Sequence, residues 1–171
     1  ITQVVTSKEE KEIEFVEPEK CVVVMTEGGT IKRIPQTSFR TQKRNTKGIK
    51  TQEDITSCVI RTNTIDSLMI FTNQGNMYRL LVDNIPVGTN VSKGTPITGL
   101  IEMKENEKPT VIYSIYRDTD AKYILFVTKN GLVKKTSLEE YTKTKKKSGI
   151  LAINIKDNDE LASVFLVKDE D

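Results

Sequence analysis

The chain has no histidine and no tryptophan in 171 residues. Lacking histidine, it lacks the commonest general base and metal ligand near neutral pH. Its two cysteines, Cys21 and Cys58, are too few for a disulfide scaffold and too isolated for a zinc site, so they read as small buried hydrophobes. No apolar run approaches the ~20 residues of a spanning helix. The N-terminal stretch also lacks the basic-then-apolar layout of a secretory leader, and together these point to a cytoplasmic protein with no membrane partner. There is no phosphate-cradling glycine loop followed by Lys-Ser or Lys-Thr; Glu27-Gly28-Gly29-Thr30 lies between two strand-like runs, not ahead of a helix. Asp157, Asp159 and Glu160 lack the later ligands and the turn glycine of a calcium loop, and read as an acidic turn. Segments such as 137–141 fit one helical turn, but no stretch sustains a helical apolar period over three turns. The chain is read as all-β, without a catalytic or metal site of its own.

What it has instead is repetition. Val22-Val23-Val24-Met25-Thr26, Leu68-Met69-Ile70-Phe71-Thr72 and Ile124-Leu125-Phe126-Val127-Thr128 are each followed by a glycine three residues on, at Gly29, Gly75 and Gly131. A mixed apolar and basic string comes next in each case: Ile31-Lys32-Arg33, Met77-Tyr78-Arg79 and Val133-Lys134-Lys135. A second glycine closes each unit, with Gly29 to Gly48 and Gly75 to Gly94 both 19 residues apart and Gly131 to Gly149 18 apart. Spacings of 46 and 56 residues between units fall near the period of propeller blades.

Apolar runs without alternation predict strands buried on both faces, hence stacked sheets. Glu27-Gly28-Gly29, Asn73-Gln74-Gly75 and Lys129-Asn130-Gly131 predict tight hairpin tips. The returning arms, 30–34, 76–82 and 132–136, are expected to meet solvent on one side. A loop, the closing glycine, and two further β-like stretches per unit bring the count to four strands, which is a blade. The expected organisation is an acidic linker or edge strand over 1–20, then blades near 21–66, 67–121 and 122–156, with 157–171 starting a further blade. Three blades do not close a ring, so the chain reads as part of a longer domain.

Charge is distributed unevenly. Residues 1–20 hold three Lys against six Glu, residues 157–171 one Lys against six acids, and the body between them 22 Lys and Arg against 12 Asp and Glu, a net of +10. Such a body attracts polyanions through a long-range, salt-screened field.

The loop Gln42-Lys43-Arg44-Asn45-Thr46-Lys47-Gly48, preceded by Ile31-Lys32-Arg33-Ile34-Pro35 and Ser38-Phe39-Arg40, resembles the first blade of the C-terminal domain found in the DNA-cleaving subunit of bacterial type IIA DNA topoisomerases. DNA gyrase is the nearest form and topoisomerase IV the next. Asp66 to Thr72, Lys93-Gly94-Thr95-Pro96-Ile97 and Asn130-Gly131-Leu132-Val133-Lys134-Lys135-Thr136 stand where the family's first three blades carry similar strings. The sequence departs from the family's heptapeptide at Asn45 and Thr46, which replace its two central glycines; a β-branched Thr adopts left-handed geometry poorly.

The resemblance implies a β-pinwheel, a propeller-like fold, whose outer rim binds duplex DNA and bends it around the protein. It also implies a non-catalytic role here, with no cofactor in this segment. The ATP, the Mg and the cleavage tyrosine would belong to the full enzyme, and the partners would be the rest of the DNA-cleaving subunit, together with the separate ATPase subunit. Arg40, Lys43, Arg44, Lys47 and Lys50 of the first unit and Lys143, Lys145, Lys146 and Lys147 of the third fall at one position of the repeat, so these charges are expected to form a stripe along one rim. The second unit supplies only Lys93 there. The resemblance implies that Gln42 orients the first loop at the DNA by hydrogen bonds to backbone. Lys32, Arg33, Arg79, Lys134 and Lys135, on the returning arms, are equally compatible with phosphate contact and with surface solubility. Tyr78 reads as packing, not base stacking. The alternative is a propeller that binds protein, for which the repeated cationic loops have no use.

Overall fold

The computed structural model describes residues 17–39, 56–115, 120–142 and 149–168. Each repeat opens with the expected hairpin: β1 (Lys20–Thr26) with β2 (Thr30–Pro35), β4 (Ser67–Thr72) with β5 (Asn76–Leu81), and β8 (Tyr123–Thr128) with β9 (Val133–Ser137). The same turn closes all three. The amide of Gly29, Gly75 or Gly131 donates to the carbonyl of Thr26, Thr72 or Thr128 at 3.0–3.1 Å, and the glycines sit at φ of 84°, 85° and 89°. A side chain at this φ is strained, which accounts for the fixed glycine.

An outer strand flanks each hairpin: β3 (Thr56–Asn63) on β1, β7 (Pro109–Ile115) on β4, and β11 (Leu161–Val167) on β8. β11 is therefore an outer strand of the third sheet, not the opening of a further blade as expected. The fourth strand of a sheet is not contributed by its own unit either. β6 (Thr95–Pro96), which follows Gly94 of the second unit, pairs with β2 of the first, and β10 (Ile150–Leu151), which follows Gly149 of the third, pairs with β5 of the second. Among the described residues the result is two four-stranded sheets, ordered β3-β1-β2-β6 and β10-β5-β4-β7, and a three-stranded sheet, β11-β8-β9. A single-turn helix, α1 (Glu139–Thr142), lies between β9 and β10.

The exchange repeats in register. Ile31 faces Thr95 and Met77 faces Ile150, while the Ile97 amide donates to the Gly29 carbonyl at 2.9 Å and the Ala152 and Ile153 amides to that of Gly75 at 2.9 and 3.1 Å. Each closing segment thus docks on the preceding hairpin tip, so adjacent sheets are joined by backbone as well as by packing.

Between the first two sheets lie Val23, Met25, Ile31, Leu68, Ile70, Tyr78, Leu80 and Ile97; between the second and third lie Met69, Phe71, Met77, Ile124, Phe126, Tyr141 and Ile153. β4 feeds alternate side chains into both layers, as its non-alternating sequence requires. Phe71, Phe126 and Tyr141 form a chain of edge-to-face contacts with centroids 5.4 and 5.9 Å apart, a geometry that adds to plain area burial. β8 departs from expectation: Ile124 and Phe126 are buried, whereas Tyr123, Leu125 and Val127 are only half-buried, because no described element packs on that side. β5 departs the other way. Asn76, Met77, Tyr78 and Leu80 are all buried, so most of this returning arm lies between two layers and only Arg79 and Leu81 reach solvent.

Candidate nucleic-acid interface

The expected rim is built from the loops between hairpin and closing glycine. Arg40, Gln42, Lys43, Arg44, Lys47 and Lys50 of the first loop, and Lys143, Lys145, Lys146 and Lys147 of the third, lie outside the described residues. The second loop is described. It leaves β5 through a 3-10 turn at Val82–Asn84, runs past Gly88, and ends at Lys93, which is exposed, and Gly94 at φ 82°. Gly149, which closes the third loop, has φ 74°. The two closing glycines make the same left-handed entry into equivalent exchanged strands, Gly94 into β6 and Gly149 into β10.

Of the returning-arm cations, Lys32, Arg33, Arg79 and Lys134 reach protein carbonyls, while Lys134 and Lys135 stay exposed. The Lys32 ammonium donates to the carbonyls of Thr89, Asn90 and Ser92 at 2.7, 3.3 and 2.8 Å. Its burial lowers its pKa from the usual lysine value. Arg33 donates through Nε to the Ile85 carbonyl at 3.1 Å and pairs with Asp83 at 3.7 Å. Its backbone is also zipped to the same loop, with the Arg33 amide on the Pro86 carbonyl at 3.2 Å and the Gly88 amide on the Arg33 carbonyl at 2.8 Å. Arg79 reaches the Thr142 carbonyl, just before the third loop, at 2.6 Å. Lys134 reaches the Ala152 carbonyl at 3.0 Å, and the Lys135 ammonium stands 4.5 Å from the centre of the Tyr123 ring. Carbonyls at the ends of loops need donors, and these side chains supply them, mostly across the joint to the next unit.

Behind the second hairpin is a cluster that sequence reading missed. The buried carboxylate of Glu107 accepts from Thr72 Oγ1 at 2.6 Å, Asn76 Nδ2 at 2.8 Å, Tyr78 OH at 2.7 Å and the Lys104 amide at 2.7 Å. Burial pushes its pKa up, but the four hydrogen bonds outweigh it and hold the carboxyl below the ordinary glutamate value. The Tyr78 hydroxyl is raised well above its usual value by burial and by its bond to Glu107. Tyr78 is thus packing, as expected. The third hairpin has a counterpart: Asp159 accepts from the Asn130 and Glu160 amides at 3.0 and 2.8 Å, and Lys129 pairs with Glu160 at 2.6 Å. The acidic turn read from the sequence caps that hairpin. A repeated Thr at the hairpin exit followed some 30 residues later by an acid was the available signal.

The family model for "DNA gyrase C-terminal domain, beta-propeller" matches residues 22–56, 66–108 and 122–168, one segment per repeat. The gyrase A protein of Clostridium acetobutylicum is 35% identical over 162 residues, covering 92% of this chain and 19% of that protein. The gyrase A protein of Campylobacter jejuni is 37% identical over 177 aligned residues, covering all of this chain and 20% of the relative. The chain therefore spans about a fifth of the length of the gyrase proteins it matches. Among solved structures, the C-terminal domain of a DNA topoisomerase IV superposes with TM-score 0.71 at 28% identity, over 88% of this chain and 46% of that one. A DNA gyrase A C-terminal domain gives 0.64 at 24% identity, over 88% and 49%, a likeness of fold. Among the described residues, no helix is long and apolar enough to cross a membrane. Three copies of one hairpin, interlocked by exchanged strands and matched repeat by repeat, place the chain in the DNA gyrase C-terminal domain family of β-propellers.

Proposed function

We propose that the chain is a duplex-binding and duplex-bending module of a type IIA DNA topoisomerase, presenting wrapped DNA to an enzyme core for strand passage. One observation carries this reading. The repeat register puts Lys43, Arg44 and Lys47 of the first unit and Lys143, Lys145, Lys146 and Lys147 of the third at equivalent loop positions, on units that the fold stacks side by side. A row of cations along stacked units follows a phosphate backbone, neutralises it and releases its counterions. Contacts of this kind carry no base reading, so selectivity comes only from DNA deformability. Bending a 20–30 bp stretch costs roughly 1–6 kcal/mol, which several phosphate contacts offset. Cleavage, ATP and Mg belong in this reading to the rest of the DNA-cleaving subunit, with its ATPase partner, in a cytoplasmic enzyme.

Gyrase is the favoured parent, given the relatives. The likeness to a topoisomerase IV domain supports a second reading, decatenation in place of supercoiling. Joined to a topoisomerase core and its ATPase partner, the module should yield negative supercoiling under the first reading and decatenation alone under the second.

Titration of duplex DNA by anisotropy at several salt concentrations tests the binding itself. Log affinity should fall steeply with log salt, and the Lys43, Arg44 and Lys47 triple neutralisation should reduce the slope by about 0.9 per lost phosphate contact. Affinity independent of salt would overturn the proposal.

A further inference from the structure

The second rim loop, 87–93, is poor in charge and firmly held. Aligned on the closing glycines, Gly88-Thr89-Asn90-Val91-Ser92-Lys93 stands where the first unit has Gln42 to Lys47 and the third has Lys143 to Ser148. It carries one cation there. Its shape is nonetheless fixed from several sides. Lys32 gathers the carbonyls of Thr89, Asn90 and Ser92. The Thr89 amide donates to Ser92 Oγ at 2.9 Å, the Ser92 amide to Thr89 Oγ1 at 3.2 Å, and Asn90 Nδ2 to the Ser38 carbonyl at 2.7 Å. A Cβ on Gly88 would lie 2.7 Å from Ser92 Oγ and 3.2 Å from Lys32 Cβ, so the chain passes closely over the Lys32 stem.

Gathering the carbonyls of 89, 90 and 92 inward onto one ammonium leaves residue 91 at the crest. That residue is Val91, 93% exposed, the most exposed of the large hydrophobic residues described. A single exposed valine on a mobile loop is ordinary. This one sits on a fixed backbone, at the repeat position its neighbours fill with Asn45 and Lys146, with the Thr89 and Ser92 side chains and Lys93 beside it.

Resting on the DNA-binding reading above, we propose that Val91 is an apolar wedge that enters the minor groove of the bent duplex, and that Lys32 is the positioning residue that holds it there. A duplex curved around a protein turns its minor groove inward once per helical turn, and apolar side chains inserted at such points loosen a base step and set the bend. A wedge works only if its backbone does not yield. Lys32 supplies that stiffness from the neighbouring unit, so one side chain couples the joint between the first two units to the bend in the DNA. Flexible pyrimidine–purine steps at the wedge are the favoured sites.

The experiment is a titration of a short, end-labelled duplex, reading affinity by anisotropy and end-to-end distance by energy transfer at several salt concentrations. Val91→Ala should weaken binding on the order of tenfold and relax the bend, with the salt slope unchanged. Lys32→Met should do the same, also at unchanged slope, although it removes a positive charge. Lys32→Arg should restore part of the bend. Val91→Ala removes only exposed atoms and so tests the wedge even if Lys32→Met impairs folding. The proposal is overturned if Val91→Ala leaves both bend and affinity at wild-type values, or if Lys32→Met lowers the slope by the ~0.9 of a direct phosphate contact. Wild-type protein that fails to bind duplex at any salt would instead overturn the DNA-binding reading itself.

Discussion

The second and third sheets begin from nearly the same sequence and end in different physical states. Leu68-Met69-Ile70-Phe71 of β4 aligns with Ile124-Leu125-Phe126-Val127 of β8. In both, the first and third side chains are buried against the preceding unit. Met69 and Phe71 are buried as well, because the third sheet covers them, whereas Leu125 and Val127 are half-exposed. The returning arms diverge likewise: β5 is paired on its far side by β10, while among the described residues β9 pairs only with β8 and leaves Leu132 and Val133 exposed. Burial of that second face is therefore conferred by the following unit and not by the unit's own sequence, which is the behaviour of a repeat array with nearest-neighbour energetics.

The largest expected effects test this directly. Met69→Ala should cost about 2–5 kcal/mol, the range for a fully buried large-to-small change. Leu125→Ala at the aligned position should cost about 1 kcal/mol, since much of its surface is already solvated. Denaturant melts of the two variants measure both. Equal losses would mean that the outer face of the third sheet is covered in solution, and the comparison would fail.

The hairpin glycines sharpen the same contrast. Gly75 and Gly131 share the turn and the φ, 85° and 89°. A Cβ on Gly75 would fall 2.3 Å from the Ile153 carbonyl oxygen, in the exchanged segment, whereas one on Gly131 meets nothing within 4 Å. Gly131→Ala should therefore cost only the left-handed strain, about 1–2 kcal/mol. Gly75→Ala should add about 1–3 kcal/mol for displaced backbone, and hydrogen exchange should report β10 opening from β5. A Gly75→Ala protein as stable as Gly131→Ala would show that the exchanged strand is loosely held.

These differences also mark what could be read from the sequence. The hairpins, their tips and the stacked strands were legible because an apolar run before a left-handed glycine has few other meanings. The exchanged strands were not: β6 and β10 are two residues long, too short for any period, and nothing in Thr95-Pro96 or Ile150-Leu151 names the sheet they join. The returning-arm cations were ambiguous for a related reason. Lys32, Arg33 and Arg79 look like surface charge in one dimension, and only the fold brings the carbonyls of Thr89, Ile85 and Thr142 to them. Glu107 was passed over because its partners come from a hairpin some 30 residues earlier.

The smallest effect expected contrasts the acids behind the two hairpins. Glu107 and Asp159 both have carboxyl pKa values lowered in the fold, each raised by burial but lowered further by hydrogen bonds, from Thr72, the Lys104 amide, Asn76 and Tyr78 in one case and from Thr128 and the Asn130 and Glu160 amides in the other. A carboxyl whose folded pKa lies below its unfolded value adds stability that is complete above the unfolded pKa and is lost as pH falls through the folded one. For Glu107 that window opens at about 4.3, the ordinary glutamate value, and extends to lower pH. Glu107→Gln should cost about 1–3 kcal/mol at neutral pH, because an amide cannot accept all four bonds and leaves a buried donor unmatched. Thermal melts of wild type and Glu107→Gln should converge as pH falls below that value. Asp159→Asn should have a smaller effect at every pH, since its hydrogen bonds are open to solvent. Equal effects would mean that solvent screens both sites alike, and that the second hairpin is not the more deeply held of the two.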